Sequence, residues 1–371
     1  KVLFSTDSIS QERGGIEGYC YRLAKEFSRN HSVSVLCCAA KSDAIDDVVF
    51  IDGRRYEGNP AMNLISSMVA VKGVRRETYD AIICSSWRTA HVAWCINRKT
   101  GIPYYVQVHG NDLLEPHSGA LRRFFEKYIR ELILNDAKGI IANSVFTKDL
   151  CLSVSNNESI VVIHPSISYK PSFEKTATSI PRKRGGLNLF SLGRLEERKG
   201  IQLVLSALKK LQEEGFESIT YRIGGTGPFE GSLKQLTSEL ELTGVTFLGR
   251  ISEEEKAQEY SSCDLFVMPS FHDVRQGSIE GFGIVFVEAN MYGKPVIATR
   301  SGGIPDAVID GVTGILIPEL NIDALVDALR AFAEGSVTID SAELERWAAQ
   351  HTAEAVAAQY VEFLNEDVAG R

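Results

Sequence analysis

The sequence predicts an α/β protein made of two consecutive doubly wound domains whose parallel sheets face a central cleft. Short β-branched runs alternate with longer helical patterns along nearly the whole chain of 371 residues, which is typical of βαβ units. The alternation lapses once, between residues 165 and 186, into a polar stretch interrupted by prolines and glycines. A chain of this length also has room for two domains of about 100–200 residues each.

The first domain is predicted over residues 1–168. Its strands are expected at Val2–Ser5, Val33–Cys37, Val48–Ile51, Ala81–Cys84, Tyr104–Val108, Gly139–Ala142 and Ile160–Ile163. Its helices are expected at Gly15–Arg29, Ala61–Arg76, His91–Lys99 and Leu121–Asn135. The last of these helices carries a basic stripe beside its apolar positions.

A linker over residues 169–186 leads to a second domain, predicted over residues 187–344. Its strands are expected at Asn188–Leu192, Thr220–Ile223, Val245–Leu248, Leu265–Met268, Pro295–Ala298 and Gly314–Ile317. Its helices are expected at Gly200–Glu214, Ser232–Glu241, Glu253–Ser262, Val285–Met291 and Ile322–Phe332. The tail, Ala342–Leu364, is predicted to be helical and amphipathic.

The net charge of −8 argues against a nucleic-acid partner bound through bulk positive charge. The charge is unevenly divided: residues 1–185 hold 25 Lys and Arg against 19 Asp and Glu, and residues 186–371 hold 15 against 29. Such a difference suggests an anionic partner for the first half, or an accident of surface composition.

The seven cysteines include no C-x-x-C pair, and most lie in apolar runs, which is typical of free thiols in a reducing compartment. No apolar run reaches the roughly 18–20 residues that span a bilayer. We therefore expect a cytoplasmic protein, or one that is peripheral on the cytoplasmic face of the inner membrane.

The segment SIEGFGIVFVEA, residues 278–289, carries the most informative pattern. Gly283 is expected to begin a helix after an apolar strand, and the free amides of its first turn would form an anion site. Glu280 lies in the loop before that site, and Glu288 lies just over one turn inside the helix. This arrangement suits a sugar nucleotide, with amides for the diphosphate and carboxylates for sugar and ribose hydroxyls. Two surface glutamates are the alternative.

Two further clusters follow strands of the second domain. In FSLGRLEERKG, the first predicted strand ends at Gly193, and Arg194 and Lys199 follow it, so two cations could neutralise a leaving diphosphate. A basic helix start would explain them too. In RIGGTGPF, glycines such as Gly225 permit a close backbone approach to a ligand or to the neighbouring domain, although a plain turn explains them nearly as well.

The first domain offers two weaker candidates. Gly15 stands at a loop-to-helix junction, where it could belong to a phosphate or sugar loop or to an ordinary turn. His109 ends the strand of YYVQVHGND, where it could bind a donor sugar or be a satisfied interior histidine. The chain lacks H-E-x-x-H, G-x-S-x-G, Walker A and D-x-D motifs, so neither a metal nor a cofactor is expected.

Taken together, the segments GGIEGYCYRLAKEF, VHGND, GRLEERKG, GGTGP, EGFGIVFVE and SGGIPDAVIDGVTGILIP occur in the order and approximate spacing of the retaining glycosyltransferase family 4. The resemblance covers essentially the whole chain and implies the GT-B fold, whose final helix, here residues 345–371, crosses back onto the first domain. The lengthened loop of FHDVRQGSIEGFGIVFVEA resembles the bacterial mannosyltransferases that use GDP-mannose.

The resemblance implies roles for the charged residues of the second domain. Arg194 and Lys199 match the pair that holds the donor diphosphate and stabilises the leaving group. Glu280 matches the glutamate that contacts the donor sugar, and Glu288 matches the glutamate that binds the ribose.

It also implies backbone contacts. Gly283, Ile284 and Val285 match positions whose amides face the donor, and Gly15 matches the loop glycine beneath the diphosphate. Arg250 falls where the family contacts the base.

The reaction implied is front-face transfer with retention, in which the leaving phosphate takes the acceptor proton. His109 matches the first-domain histidine whose backbone carbonyl supports the oxocarbenium-like transition state. The expected substrates are a nucleotide sugar and a glycan or lipid-linked acceptor for cell-envelope polysaccharide, lipopolysaccharide or glycolipid synthesis. A UDP-sugar-dependent glucosyl or N-acetylglucosaminyl transferase, a sugar-nucleotide epimerase of the same fold and a binding module with a dead site are the alternatives.

Basic residues of the first domain are candidates for contact with an anionic membrane or a phosphorylated acceptor. They are Arg54, Arg55, Arg75, Arg76, Arg122, Arg123, Lys127 and Arg130.

Overall fold

Two parallel sheets organise the chain in its computed structural model. The structure describes residues 1–7, 9–10, 15–37, 44–52, 74–75, 77–114, 120–168, 186–273 and 277–369. Two compact units result: Lys1–Ser168 with Thr352–Arg371, and Tyr169–His351. The linker expected at 169–186 and the helix expected at Ala61–Arg76 lie almost wholly outside the described residues.

The first unit contains a seven-stranded parallel sheet in the order β3-β2-β1-β4-β5-β6-β7. The strands are β1 (Val2–Thr6), β2 (Val33–Cys37), β3 (Val48–Asp52), β4 (Ala81–Cys84), β5 (Tyr104–Val108), β6 (Gly139–Ala142) and β7 (Ile160–Val162). The helices are α1 (Gly15–Ser28), α2 (Ala90–Thr100), α3 (Ala120–Asp136) and α4 (Val145–Val154), with a C-terminal helix from the end of the chain.

The core of the first unit lies on both faces of its sheet. Leu3 of β1 packs into one apolar cluster, and its neighbours Val2 and Phe4 pack into the other. Successive side chains of a strand point to opposite faces, so a strand covered by helices on both sides is apolar throughout.

The second unit contains a six-stranded parallel sheet in the order β10-β9-β8-β11-β12-β13. The strands are β8 (Leu187–Leu192), β9 (Ile219–Gly224), β10 (Val245–Gly249), β11 (Leu265–Val267), β12 (Val296–Thr299) and β13 (Gly314–Ile317). The helices are α5 (Ile201–Glu213), α6 (Glu230–Glu239), α7 (Glu253–Ser262), α8 (Ile284–Met291), α9 (Ile304–Ala307), α10 (Ile322–Glu334) and α11 (Ser341–Ala349).

The tail differs from the single helix predicted over Ala342–Leu364. It forms two helices, α11 and α12 (Ala353–Ala369), and the chain enters the first unit at Thr352 rather than at residue 345. Asp340 caps α11 by accepting a hydrogen bond from the amide of Ala342, and Trp347 Nε1 donates to the carbonyl of Ala307 at 3.0 Å. These contacts hold α11 within the second unit.

Helix α4 was not among the predicted elements. Ser144 begins it by accepting a hydrogen bond from the amide of Thr147 at 3.1 Å. Only Thr147 and Cys151 of this helix are buried, so its sequence shows a weak helical period.

Both sheets place a topological switch point near the middle. The order reverses between β1 and β4 in the first unit and between β8 and β11 in the second. Doubly wound sheets bind ligands outside the carboxyl ends of the strands at such points. A ligand site in the second unit is therefore expected at the loops after β8 and β11.

Candidate active site

Glu280 anchors a cluster of charges at the switch point of the second sheet. Lys199 Nζ lies 2.6 Å from Glu280 Oε2, and Arg198 Nη1 lies 3.3 Å from the same oxygen. Lys199 follows β8 in a 3-10 turn, whereas Glu280 follows β11. The adjacent parallel strands thus bring residues that are 81 positions apart into one ion pair.

The two cations keep the Glu280 carboxyl ionised. Burial by itself raises the pKa of Glu280, but the charges and hydrogen bonds of Lys199 and Arg198 together outweigh it and lower that pKa. The side chain of Glu280 is 17% exposed, so its attraction to the cations is screened less than on an open surface.

Arg194 stands apart from this carboxylate, although the sequence pairs it with Lys199. Its Nε lies 3.0 Å from Glu196 Oε1, and its side chain is 71% exposed. Glu196 Oε2 in turn accepts from Arg198 Nε at 3.1 Å. Arg194 therefore joins the cluster through Glu196 and keeps its guanidinium open to solvent.

Arg198 is a charged residue of this cluster that the sequence analysis did not single out. The segment GRLEERKG shows a third cation between Arg194 and Lys199, and that was the available signal. Arg198 and Lys199 are neighbours in the 3-10 turn at Glu197–Lys199, and both pair with Glu280.

Gly283 begins α8, as predicted, with Glu280 in the loop before it and Glu288 inside the helix. Its φ of 96° lies in the left-handed region, and a Cβ would stand 2.5 Å from the Phe286 ring, so this position requires glycine. No side chain caps the helix, so the amides at Ile284 and Val285 remain donors for an anion at this end.

Glu288 is held inside the second unit with only 10% of its side chain exposed. Lys256 Nζ lies 3.3 Å from Glu288 Oε1, and Tyr260 Oη lies 3.3 Å from Glu288 Oε2. Both partners come from α7, which packs beside α8. Sequence reasoning named neither Lys256 nor Tyr260.

Gly193 and Gly225 bring the loops after β8 and β9 into contact. A Cβ on Gly225, whose φ is 118°, would stand 1.9 Å from the carbonyl oxygen of Gly193. The Gly225 amide also donates to the Gly249 carbonyl at the end of β10, at 2.7 Å. The close approach seen in the structure is thus to neighbouring backbone, and it positions the loop that carries Arg194.

Arg250 and Gly15 are exposed at the ends of other elements. Arg250 follows β10 directly. Gly15 begins α1 with a φ of 71°, and a Cβ there would meet no atom within 4 Å. Their roles as donor contacts stay predictions.

His109 follows β5 in the first unit, and both its ring and its backbone amide form hydrogen bonds with neighbouring protein groups. Its Nε2 lies 2.9 Å from the Ser85 carbonyl, and its backbone amide donates to Asp112 Oδ1 at 2.9 Å. Burial lowers the pKa of His109 and outweighs the opposing effects of Asp112 and the Ser85 hydrogen bond. The neutral ring therefore donates from Nε2 and presents Nδ1 as an acceptor.

Among the residues that the structure describes, no three His, Cys, Asp or Glu side chains are grouped closely enough to hold a metal ion. Within the same ranges, no helix is both long and apolar enough to cross a membrane.

Two family models match consecutive parts of the chain. The model described as Glycosyltransferase Family 4 matches residues 13–170, and the model described as Glycosyl transferases group 1 matches residues 172–351. Together with the two doubly wound parallel-sheet units, these matches define the class of protein. The chain belongs to the family 4 glycosyltransferases of GT-B fold, and it is a glycosyltransferase.

Relatives with glycosyltransferase names are similar to the chain in sequence, and solved structures share its fold. The chain is 27% identical, over 88% of each protein, to a GDP-mannose-dependent alpha-(1-6)-phosphatidylinositol monomannoside mannosyltransferase of Mycolicibacterium smegmatis. It is 26% identical to the protein of that name from Mycobacterium tuberculosis, over the full length of both. Among solved structures, Anabaena Alr3699/HepE in complex with UDP superposes with a TM-score of 0.76 at 21% identity, covering 99% of this chain and all of that one.

Proposed function

We propose that this enzyme transfers a mannosyl group from GDP-mannose, with retention of configuration, to a hydroxyl of a lipid-linked or glycan acceptor. The observation that carries the proposal is the Glu280 cluster, in which Lys199 and Arg198 meet a partly buried carboxylate beside the uncapped start of α8. Cations and free helix amides suit a diphosphate, and a fixed carboxylate suits sugar hydroxyls.

The reaction breaks the bond between the sugar C1 and the β-phosphate oxygen and forms a bond from C1 to the acceptor oxygen. The proton of the acceptor hydroxyl passes to the departing phosphate oxygen. Negative charge develops on the diphosphate as the bond breaks, and Lys199, Arg194 and the amides at Ile284 and Val285 would stabilise it. Glu280 would accept hydrogen bonds from the sugar, and Glu288 from the ribose.

Glu280 is poorly suited to act as the general acid of a glycosidase-like mechanism with two carboxylates. A general acid must carry a proton near neutral pH, which needs a raised pKa. The pKa of Glu280 is instead lowered by its two cations. The charge state of Glu280 thus supports a role as hydrogen-bond acceptor.

Similarity to mannosyltransferases supports GDP-mannose as the proposed donor. Two mannosyltransferases with GDP-mannose in their names resemble the whole chain at 26–27% identity. The fold is shared with a protein solved with UDP, so a uridine donor is the first competitor to test.

A thermal-shift panel tests the donor directly. GDP, UDP and ADP and their common sugars are added to the purified protein, and a ligand at 100 times its dissociation constant should add about 2.7 kcal/mol of apparent stability. We expect GDP-mannose and GDP to raise the melting temperature most. A larger shift with UDP-glucose or UDP-N-acetylglucosamine would contradict the donor, and no shift with any of them would contradict a sugar-nucleotide site.

Turnover with and without an acceptor separates transfer from epimerisation. A transferase releases GDP in step with glycosylation of an added polyprenyl- or inositol-phospholipid acceptor, and the one-bond coupling between C1 and H1 of the transferred mannose in the first product reports retention. Conversion of the sugar nucleotide without any acceptor would instead identify an epimerase.

Helix α3 supports an acceptor held at an anionic membrane. Its residues Phe124, Phe125 and Tyr128 are 66%, 54% and 59% exposed, and Arg123 and Lys127 are exposed on the same helix. Exposed aromatic side chains beside cations are typical of helices that lie in the interface of anionic bilayers.

Of the other residues predicted for the basic surface, Arg130 does not belong to it. Arg130 is 4% exposed and donates to the carbonyl of Leu113, so its placement on that surface was wrong. Arg54, Arg55 and Arg76 and the side chain of Arg122 lie outside the described residues, whereas Arg75 is exposed.

Co-sedimentation with vesicles tests this surface. Vesicles containing phosphatidylglycerol should sediment the protein at low salt, and neutral vesicles should sediment less. Phe124→Ser with Phe125→Ser should remove most of the binding, because each buried aromatic adds about 1.5–3 kcal/mol. Leu320→Ser, at a residue 58% exposed in the second unit, is the matched control. Equal sedimentation of all three proteins would exclude α3 as the contact.

A further inference from the structure

Lys256 is a partly buried lysine to which the proposed reaction assigns no role. It lies on α7, one turn before Tyr260, and its side chain is 15% exposed. Its Nζ lies 2.8 Å from Glu253 Oε2 and 3.3 Å from Glu288 Oε1. One ammonium group therefore bridges a carboxylate of its own helix and the carboxylate of α8.

Tyr260 lies against the other oxygen of the same carboxylate. Its Oη lies 3.3 Å from Glu288 Oε2 and 3.2 Å from the Val285 carbonyl oxygen, so its one hydroxyl proton is within reach of both acceptors. The ring is fully buried, where it packs edge-on against Phe190 and stacks on Tyr292. Residues four apart on a helix lie on one face, so α7 addresses both oxygens of Glu288 from one side.

The charge on Lys256 is retained despite its burial. Burial lowers the pKa of Lys256, but Glu288 and Glu253 together outweigh it, so the net pKa is raised. A buried ion pair need not add stability, because the cost of removing two charges from water offsets their attraction. Stability alone therefore does not account for the ion pair between Lys256 and Glu288, whereas orientation of the Glu288 carboxylate does.

We propose that Lys256 is a positioning residue that aims the Glu288 carboxylate at the ribose of the donor nucleotide. The proposal rests on the proposed function, which assigns Glu288 to the ribose hydroxyls. Without Lys256, Tyr260 would hold one oxygen only, and the carboxylate could rotate away from the hydroxyls it accepts from. Lys256 would thereby determine how strongly the site prefers a ribonucleotide to its deoxy analogue.

The test compares the affinities of GDP, 2′-deoxy-GDP and 3′-deoxy-GDP by calorimetry, with the corresponding uridine nucleotides in parallel. A hydrogen bond to a carboxylate should make the wild-type protein prefer the ribonucleotide by about tenfold or more over at least one analogue. Lys256→Met keeps the apolar stem, and we expect its preference to fall to about threefold or less. Lys256→Arg restores a cation and should restore most of the preference.

Two further variants separate orientation from general damage. Lys234→Met removes a lysine that pairs with Glu230 at 2.7 Å on the exposed face of α6, and it should leave the preference unchanged. Tyr260→Phe keeps the ring packing, removes only the hydroxyl on the other oxygen, and should lose part of the preference. If Lys256→Met does not fold, Tyr260→Phe still tests whether contacts from α7 to the Glu288 carboxylate determine the preference for the ribonucleotide.

The outcomes distinguish the two proposals. A wild-type preference that survives unchanged in Lys256→Met and Tyr260→Phe overturns the role of Lys256 and leaves the proposed function intact. A wild-type protein that binds GDP with no preference against either analogue overturns the ribose assignment of Glu288, and the role of Lys256 falls with it. A protein that binds no nucleoside diphosphate overturns the proposed function itself.

Discussion

At the scale of single residues, the candidate site is built from ion pairs between carboxylates and nearby cations. Glu280 is held by the buried Lys199 and the partly buried Arg198, whereas Arg194 pairs with Glu196 at the surface. Charges that look equivalent in GRLEERKG thus have different environments, and substitution should separate those that serve mainly the reaction from those that also stabilise the fold.

We expect Glu280→Gln to abolish transfer and to leave GDP affinity within about threefold, because one hydrogen bond to the sugar is lost and the nucleotide contacts remain. Steady-state turnover and calorimetric binding measure the two effects. An equal loss of GDP affinity would contradict contact with the sugar alone.

The same variant makes a pH-dependent prediction about stability. Because the pKa of Glu280 is lowered in the folded protein, its stabilising effect is present above the ordinary value of 4.5 and is lost as the pH falls through the lowered value. The wild-type protein should therefore be more stable than Glu280→Gln at pH 7, and the difference should shrink below pH 4.5. Melting temperatures across that range measure it, and a constant difference would contradict the lowered pKa.

Arg194→Ala and Lys199→Ala should both reduce transfer strongly but differ in stability. Arg194 is 71% exposed, so its loss should cost less than about 1 kcal/mol. Lys199→Ala leaves Glu280 with Arg198 alone and should cost about 1–3 kcal/mol. Urea unfolding gives these values, and turnover that survives both substitutions would contradict a diphosphate clamp.

At the scale of elements, strand ends and helix starts assemble the site. The loops after β8, β9 and β10 are joined by the hydrogen bonds Gly193 N to Gly224 O and Gly225 N to Gly249 O. Backbone atoms approach so closely there that only glycine fits between them. The glycines of RIGGTGPF thus act on the site by fixing the neighbouring loop.

Gly225→Ala should destabilise the second unit by about 2 kcal/mol or more, because a Cβ would overlap the Gly193 carbonyl and the backbone is left-handed. Transfer should fall as well, since the displaced loop carries Arg194. Gly231→Ala on α6, where a Cβ meets no atom within 4 Å, is the control and should be neutral or slightly stabilising. Equal melting temperatures for the two variants would exclude the close approach.

At the scale of the whole molecule, the last helix belongs to the first unit. Tyr360 of α12 is buried, and its hydroxyl lies 2.6 Å from Tyr19 Oη and 2.9 Å from Gln107 Nε2. Val356 of the same helix is buried in the same apolar cluster. A segment that is distant in sequence thus completes the core of the first unit.

A chain that ends at His351 should lose the cooperative unfolding of the first unit, since each buried apolar side chain of α12 contributes about 1.5–3 kcal/mol. The second unit should still bind GDP, because the proposed diphosphate and ribose contacts of that unit precede residue 352. Scanning calorimetry with and without GDP measures both. Unfolding identical to that of the full chain would contradict the role of α12.

The sequence by itself determined the alternation of strands and helices, the division near residue 169, the start of α8 at Gly283 and the family. These features depend on local periodicity and on backbone conformations that few residues adopt, so they can be read along the chain. Only the tertiary structure decided that Arg198 joins Lys199 on Glu280, that α7 supplies Lys256 and Tyr260 to Glu288, and that the tail divides at Thr352. Those partners are far apart in sequence, and parallel crossovers bring them together with no local pattern to mark it.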